Sequence, residues 1–255
     1  MNVFDTADSM QTYALSQRTG GKRIALVPTM GNLHDGHLEL VRQARQQCDI
    51  LIVSIFVNPT QFGPREDYGA YPRTLKDDLK KCEQEGVDAV FAPTVEGMYG
   101  GDTGVVVSVE GWGERLCGSS RPGHFQGVTT VVMKLLNICQ PHVAVFGWKD
   151  AQQFLILRRM ARALNVPVEM VGVETVRETD GLAMSSRNQY LSNEERAQAP
   201  ALYHALKYAH SMAETGNLDA GEIIEAVKDH ITRNSSAVID YVEIVSMQNL
   251  EPLIT

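Results

Sequence analysis

Short apolar runs alternate with longer amphipathic stretches over the first two thirds of this chain, and that rhythm limits the folds it can enter. Strands are expected at Ile24–Val27, Ile50–Val57, Asp88–Ala92, Val105–Val109, Val143–Phe146 and Val168–Val173. Helical patterns fall between most of them, at Gly36–Gln47, Thr74–Glu85, Gly127–Cys139 and Asp150–Leu164. Strand and helix in that alternation predict an α/β fold: a Rossmann-like, doubly wound parallel sheet with right-handed crossovers. The nearly unbroken apolar character of Ile50–Val57 fits a strand covered on both faces.

Near residue 175 the rhythm changes. Gly181–Arg187 reads as a polar loop, Asn193–Thr215 and Asp219–Asn234 as helices, and Tyr241–Val245 as a last strand. The expectation is therefore two domains: 1–175, the α/β domain, and 176–255, a smaller and mostly helical α+β domain.

Charge and cysteine content exclude several classes of function. The 255 residues carry a net charge of −8 and no run of Lys or Arg, which argues against a nucleic-acid partner, since phosphate-backbone affinity needs clustered cations. A phosphorylated small molecule needs only a few well-placed donors. Cys48, Cys82, Cys117 and Cys139 lie far apart with no CxxC spacing, as expected of free thiols in a reducing cytoplasm. The N-terminus MNVFDTADSM has neither a basic nor an apolar signal region, and no apolar run approaches the length of a membrane span. A cytoplasmic protein without a membrane partner is expected.

In a doubly wound sheet, ligands bind beyond the carboxyl ends of the strands. Four polar clusters fall at such ends: PTMGNLHDGH, NPTQF, GWKDAQQ and the loop GLAMSSRN. In the first, His34 and His37 are three apart across a helix start, so both can face one side. Gly36 between them lets a ligand approach the backbone, and the helix N-terminus favours an anion there. Two neutral imidazoles can each donate to phosphate oxygens without the desolvation cost of two cations. Zinc is the other reading of a histidine pair, but no third ligand lies nearby in the sequence. In GWKDAQQ, Lys149 could balance a phosphate, Asp150 could accept from ribose hydroxyls, and Gln153 lies one turn on. Ser185, Ser186 and Arg187 give two hydroxyls and a guanidinium to a loop that could close over a triphosphate. Other motifs fail: Gly111-Trp112-Gly113 lacks the third Rossmann glycine, Gly21-Lys22 is no Walker loop, and no GxSxG is present.

His34-Asp35-Gly36-His37 resembles the HxGH signature of the nucleotidyltransferase superfamily that includes class I aminoacyl-tRNA synthetases. VPTMGNLHDGH, SIFVNPTQF, YPRT, SRPGHFQGV, FGWKD-x-QQ and GLAMSSRN, in this order from about Lys22 to Leu191, resemble the pantoate–β-alanine ligase (pantothenate synthetase) family. The resemblance implies that ATP and pantoate form pantoyl adenylate and pyrophosphate, and that β-alanine then displaces AMP to give pantothenate. No covalent enzyme intermediate is implied, so catalysis would rest on positioning and charge stabilisation.

By the same resemblance, His34 and His37 would hold the ATP phosphates, with His37 in the position of the proton-donating histidine, and Lys149 and Arg187 would share in catalysis. ATP would lie against Met30, Gly31, Asn32, Leu33, His34, Asp35, Gly36 and His37, against Gly147, Trp148, Lys149 and Asp150, and against Val176 through its backbone. Met184, Ser185, Ser186 and Arg187 would be the counterpart of the synthetases' flexible phosphate loop, on a C-terminal lid. Gln61 and Gln153 would grip pantoate, Gln61 would help place β-alanine, Asn58 would line the pocket, and Arg121 would stand beside it. Mg2+ would arrive with ATP, with Asp77 contributing from the protein side. The family suggests a homodimer.

Two departures stand out. Trp148 occupies the place where the family usually has Glu, changing local charge and volume. The chain also stops at Thr255, before the closing segment of most members, so the small domain is expected to be truncated or reduced. Two other readings remain: another HxGH nucleotidyltransferase, set apart by nucleotide preference, and a degenerate ligase that binds ATP without releasing pyrophosphate.

Overall fold

The computed structural model describes residues 1–101 and 104–254. The chain forms two compact units, Met1–Thr175 and Val176–Thr255.

In the first unit the strands are β1 (Asn2–Phe4), β2 (Ile24–Thr29), β3 (Ile50–Ile55), β4 (Ala89–Phe91), β5 (Val143–Gly147) and β6 (Glu169–Val173). They make one parallel sheet in the order β1-β4-β3-β2-β5-β6. Its helices are α1 (Ala7–Thr19), α2 (Asp35–Arg45), α3 (Leu75–Gln84), α4 (Val95–Tyr99), α5 (Cys117–Ser120), α6 (His124–Cys139) and α7 (Ala151–Ala163), with 3₁₀ turns at Pro59–Gln61 and Trp148–Asp150.

Successive residues of β2 enter different cores. Ile24 and Leu26 pack with Met10 of α1, Val128 and Leu135 of α6 and Leu157 of α7. Ala25 and Val27 pack with Leu40, Val41 and Ala44 of α2. Strand side chains alternate between faces, so a strand covered on both sides is apolar at every position, as β2 is up to Val27. This is the doubly wound α/β architecture expected.

The strand order reverses at β2: β3 and β4 lie to one side of it, β5 and β6 to the other. The ligand crevice of such a sheet opens outside the carboxyl ends of the strands that flank the reversal. Thr29 ends β2 and Gly147 ends β5, so Met30–His37 and Trp148–Asp150 follow directly on that edge.

Three expected elements differ. Val105–Val109 is not a strand. Its central residue is held by α6 instead: Thr129 Oγ1 donates to the Val107 carbonyl at 2.6 Å, and Val107 N–H donates to Thr130 Oγ1 at 3.0 Å. Those hydroxyls satisfy backbone groups that a ladder partner would otherwise take. The helix expected over Asn193–Thr215 is two helices, α8 (Asn193–Gln198) and α9 (Ala201–Glu214), because Pro200 has no N–H to continue the hydrogen-bond ladder. Tyr241–Val245 forms no strand; Val245 makes a single antiparallel bridge to Pro252. In addition, β1 and α1 carry no sequence signal strong enough to be expected.

The second unit is mostly helical. α9 packs on α10 (Ala220–Asn234) through Ala205, Ile223, Val227 and Ile231, with Ile239, Val242 and Ile244 against them. Ser192 and Glu195 form a reciprocal cap at the start of α8, and Asp219 accepts the Glu222 N–H at 2.9 Å at the start of α10. Among the described residues no helix is long and apolar enough to cross a membrane.

Candidate active site

The chain leaves β2 through two successive left-handed residues, Gly31 (φ 85°) and Asn32 (φ 49°). A Cβ on Gly31 would lie 3.1 Å from both Asp78 Oδ2 and Ile55 Cγ2, so glycine serves both the conformation and the close approach. The loop curls around Asp78, which is fully buried in the first turn of α3. Asn32 N–H donates to Oδ2 at 3.0 Å, Leu33 N–H to Oδ1 at 2.8 Å, and Thr74 Oγ1 to Oδ2 at 3.1 Å. From the next turn of α3, Lys81 Nζ donates to the Leu33 carbonyl.

His34 follows as the cap of α2, and His37 sits in its first turn. Their rings are 4.0 Å apart. His37 Nδ1 accepts the His34 backbone N–H at 3.4 Å, which leaves the ring proton on Nε2, free to donate. His34 Nδ1 is buried with no protein partner among the described residues. Burial, then the charges of His34, Lys149 and Lys81, push the His37 pKa down to about 3. His34 is lowered too, by burial and then Lys149, with Asp35 opposing. Two neutral imidazoles thus stand beside two ammonium groups at a helix N-terminus, a setting for an anion.

After β5, Trp148–Asp150 make one 3₁₀ turn and α7 begins. Lys149 Nζ lies 3.5 Å from Asp150 Oδ1, and its charge reaches both histidines. The Trp148 indole turns onto β6: a Cβ on Gly172 would come 2.6 Å from its Nε1, and the ring meets Phe154 edge-on at 4.8 Å. Gln153 lies partly buried in the first turn of α7. Its neighbour Gln152 is tied to the Trp112 and Arg115 carbonyls at 3.1 and 2.8 Å and to Cys117 N–H at 3.2 Å.

Beyond β3, Asn58 is buried and its amide is occupied. It donates to Gln61 Oε1 and the Gly127 carbonyl, both at 3.2 Å, and accepts from Tyr99 Oη at 2.7 Å and Thr60 Oγ1 at 3.0 Å. Asn58 therefore braces Gln61. Gln61 Nε2 donates to Met30 Sδ at 3.1 Å, which sets it against the loop after β2. The Gln61 carbonyl is held from the start of α6 and the turn before it: His124 Nδ1–H donates to it at 2.7 Å and Arg121 Nη2 at 3.4 Å. That tautomer leaves His124 Nε2 to accept from Arg121 Nη1 at 3.1 Å. Arg121 is in turn clasped by Glu66, Nε to Oε1 at 2.8 Å and Nη2 to Oε2 at 2.5 Å. Hydrogen bonding to Arg121 holds the Glu66 pKa below its ordinary value, and burial lowers that of His124. Gly127 allows the close approach, since a Cβ there would collide with the Thr60 carbonyl.

Met30, His34, His37, Lys149 and Gln61 are thus brought together in the first unit. Asp77 is exposed on α3 and pairs with Lys80 at 3.1 Å; among the described residues no group of three His, Cys, Asp or Glu side chains is disposed to hold a metal. The remaining expected residues belong to the second unit. There Met184 N–H donates to the Val176 carbonyl at 3.0 Å, Ser185 Oγ accepts the Arg187 N–H at 3.3 Å, Ser186 is buried and the Arg187 side chain is exposed. Arg196 braces this loop by ion pairs of 2.6 Å to Glu178 and Asp180.

Sequence reasoning passes over Asp78, Lys81, Glu66 and His124. For Asp78 a signal exists: it stands four residues before Cys82, the other buried residue of α3, so a carboxylate occupies a core position of an amphipathic helix. For Glu66 there is none, because its partner Arg121 lies 55 residues away.

Comparison with known proteins adds to this geometry. A family model described as Pantoate-beta-alanine ligase matches residues 2–255. The pantothenate synthetase of Thermotoga neapolitana is 54% identical over 253 residues, 99% of this chain and 90% of that protein. A crystal structure of pantothenate synthetase from Thermus thermophilus superposes with a TM-score of 0.94 at 45% identity, covering 100% of this chain and 90% of that one. The pantoate-beta-alanine ligase from Francisella tularensis, solved in complex with beta-gamma ATP and beta-alanine, gives a TM-score of 0.79 at 32% identity over 90% of this chain and 86% of its own.

Proposed function

The chain belongs to the pantoate–β-alanine ligase family, and we propose that it joins pantoate to β-alanine in two half-reactions driven by ATP. In the first, a pantoate carboxylate oxygen bonds to the α-phosphorus of ATP as the bond to pyrophosphate breaks, giving pantoyl adenylate. In the second, the β-alanine amine bonds to the acyl carbon and loses a proton, and the bond to AMP breaks, giving pantothenate.

One observation carries the assignment of the phosphate site. At the strand-order reversal, a neutral His37 whose Nε2–H is unused stands with His34 and Lys149 at the N-terminus of α2. As pyrophosphate departs, negative charge grows on the phosphate oxygens. Preorganised donors that strengthen with that charge lower the barrier without reorganising. His37 donates a hydrogen bond from Nε2, Lys149 supplies a full charge, and His34 donates beside them. Gln61, braced by Asn58 and held at its carbonyl by His124, fixes pantoate for in-line attack, with Gln153 beside it, and Gln61 also orients β-alanine. Arg121 acts through its hold on the Gln61 carbonyl. Gly147, Trp148 and Asp150 contact the nucleotide. From the second unit, Val176 and Met184–Arg187 are assigned to ATP, with Ser185, Ser186 and Arg187 on its phosphates, and 176–255 acts as a lid.

Mg2+ would come with ATP and offset the charge of its phosphates, with the exposed Asp77 carboxylate contributing from the protein side. A cytoplasmic location fits the ATP-dependent chemistry and four cysteines outside any disulfide, and the homodimer is what the family resemblance suggests. Sedimentation velocity tests the dimer.

The decisive experiment follows pyrophosphate from ATP and pantoate, with β-alanine first withheld and then added. One equivalent per active site without β-alanine, followed by turnover to AMP and pantothenate when it is added, is the expected result. ATP binding with no pyrophosphate under either condition overturns the proposal in favour of a degenerate nucleotide-binding protein.

A further inference from the structure

Asp78 is not itself assigned to substrate, yet it occupies a costly position. Its carboxylate is fully buried, and its three hydrogen-bond partners are uncharged: the N–H groups of Asn32 and Leu33 and the Thr74 hydroxyl. A buried anion persists only where donors replace the lost water. Consecutive backbone N–H groups in a left-handed turn converge into a concavity that binds anions. Gly31 and Asn32 form such a turn, and the anion inside it is the chain's own.

α3 grips Leu33 from both ends. Asp78 takes its N–H, and Lys81 takes its C=O. The next residue is His34, whose N–H is accepted by the His37 ring. Contacts therefore run without a break from the Asp78 carboxylate through the Leu33 peptide to the imidazole whose Nε2–H is free. We propose that Asp78 is a positioning residue for adenylate formation: it templates the Gly31–Leu33 backbone, and through it the orientation and tautomer of His37. The inference rests on the functional reading above and adds the source of the histidines' alignment. Asp78 acts through the loop, so its loss should lower the catalytic rate and leave ATP affinity nearly unchanged.

Asp78→Asn is the sharpest test, because it keeps the shape and turns one oxygen into an NH2 group that faces a backbone N–H. The expected result is a fall in kcat for pyrophosphate release of about thirtyfold or more, with KM for ATP within about threefold, on the scale of small misplacements of catalytic groups. In wild-type protein, nitrogen chemical shifts of the His37 ring should report a single Nε2–H tautomer, and Asn32 and Leu33 amides should exchange as slowly as those of β2. In the variant both signatures should be lost while β2 stays protected. A variant with wild-type kcat, or with its loss confined to KM for ATP, overturns the proposal. If the variant does not fold, wild-type exchange decides: protection matching β2 supports the anchor, and exchange at the rate of an unanchored loop overturns it. If the wild-type protein releases no pyrophosphate, the functional reading fails, while exchange and tautomer data still decide whether Asp78 holds the loop.

Discussion

The loop after β2 and the turn after β3 leave neighbouring strands at the same sheet edge, and each presents a side chain assigned to substrate. Both are held by their backbone, but by opposite electrostatic means. The loop after β2 wraps a buried carboxylate with neutral donors, and the histidines it carries stay neutral beside Lys149 and Lys81. The turn after β3 hangs from a paired-charge chain, Glu66 to Arg121 to His124 to the Gln61 carbonyl. The first arrangement offers a polyanion neutral imidazole donors beside two ammonium groups. The second cancels its charges locally and delivers only geometry, as suits a small monoanionic acid. One junction is built for charge and the other for shape, and that difference can be broken experimentally.

The largest effect is expected at the charge-bearing junction. His37→Ala should lower the rate of pyrophosphate release about 10²- to 10³-fold, the usual cost of one transition-state donor, with thermal stability close to wild type. Lys149→Ala should act in the same direction and should also raise KM for ATP, since an ammonium attracts the ground-state phosphates as well. Stopped-flow pyrophosphate detection separates the two. An unchanged rate for His37→Ala would remove the histidine from the mechanism.

At the shape-bearing junction the main loss should be in stability and in KM for pantoate. A methyl group on Gly127 would run into the Thr60 carbonyl oxygen, a backbone clash that no repacking of side chains can relieve. Gly127→Ala should therefore destabilise the first unit by about 1–3 kcal/mol, the range for overpacked cores. It should raise KM for pantoate more than KM for ATP. Chemical denaturation together with steady-state kinetics reads both, and equal rises in the two KM values would deny Gln61 its assignment to the acid.

The same contrast explains what is legible in the sequence. Every strand of the sheet from β2 onward is visible there, β2 to β5 because burial on both faces demands apolar runs, and the clusters at their ends follow from the rule for ligand sites. His34, His37 and Lys149 announce themselves through residue type and local spacing. The supports do not. Asp78 holds its loop from 45 residues away in sequence, and the Glu66–Arg121 clasp spans 55; no local pattern encodes such pairs. Val105–Val109 misleads for a related reason. Its β-branched composition is real, but its backbone partners are hydroxyls on α6, and composition does not say who the partner is.

Acid should separate His37 from Glu66 by pH. His37 titrates near 3 in the folded state, below the ordinary histidine value of 6.5, so the unfolded chain binds the extra proton between those values. Stability is then fully present above about pH 6.5 and declines as pH falls toward 3, with a slope of at most about 1.4 kcal/mol per pH unit for each such group. His34 and His124, also lowered, add to the same limb. Glu66 is a carboxylate held below its ordinary value of 4.5, so its contribution is present above that value and disappears only as pH falls through its depressed folded pKa. Urea unfolding at a series of pH values should show His37→Gln flattening the upper limb and Glu66→Gln altering only the lower one. A reversal of those two windows would undo the burial of a neutral His37 and the Glu66–Arg121 pairing.

The smallest effect is expected at the Trp148 indole. Trp148 stands in the turn that carries Lys149, and an indole there could be expected to disturb the nucleotide. Instead its ring lies over Gly172 of β6 and meets the edge of Phe154, so the bulk is absorbed by the sheet edge. The contact is apolar and partly buried, and its loss should cost about 1–2 kcal/mol of stability. Trp148→Glu should therefore lower the thermal midpoint modestly. The rate of adenylate formation should remain within about twofold of wild type, or rise slightly, because neither Lys149 nor the histidines use the indole as a hydrogen-bond partner. Trp148→Phe should recover most of the stability with the same activity. A loss of adenylation in Trp148→Glu that Trp148→Phe restores would mean that the ring sets the 3₁₀ turn, and so the reach of Lys149. The charge-bearing junction would then need a shape-bearing support of its own.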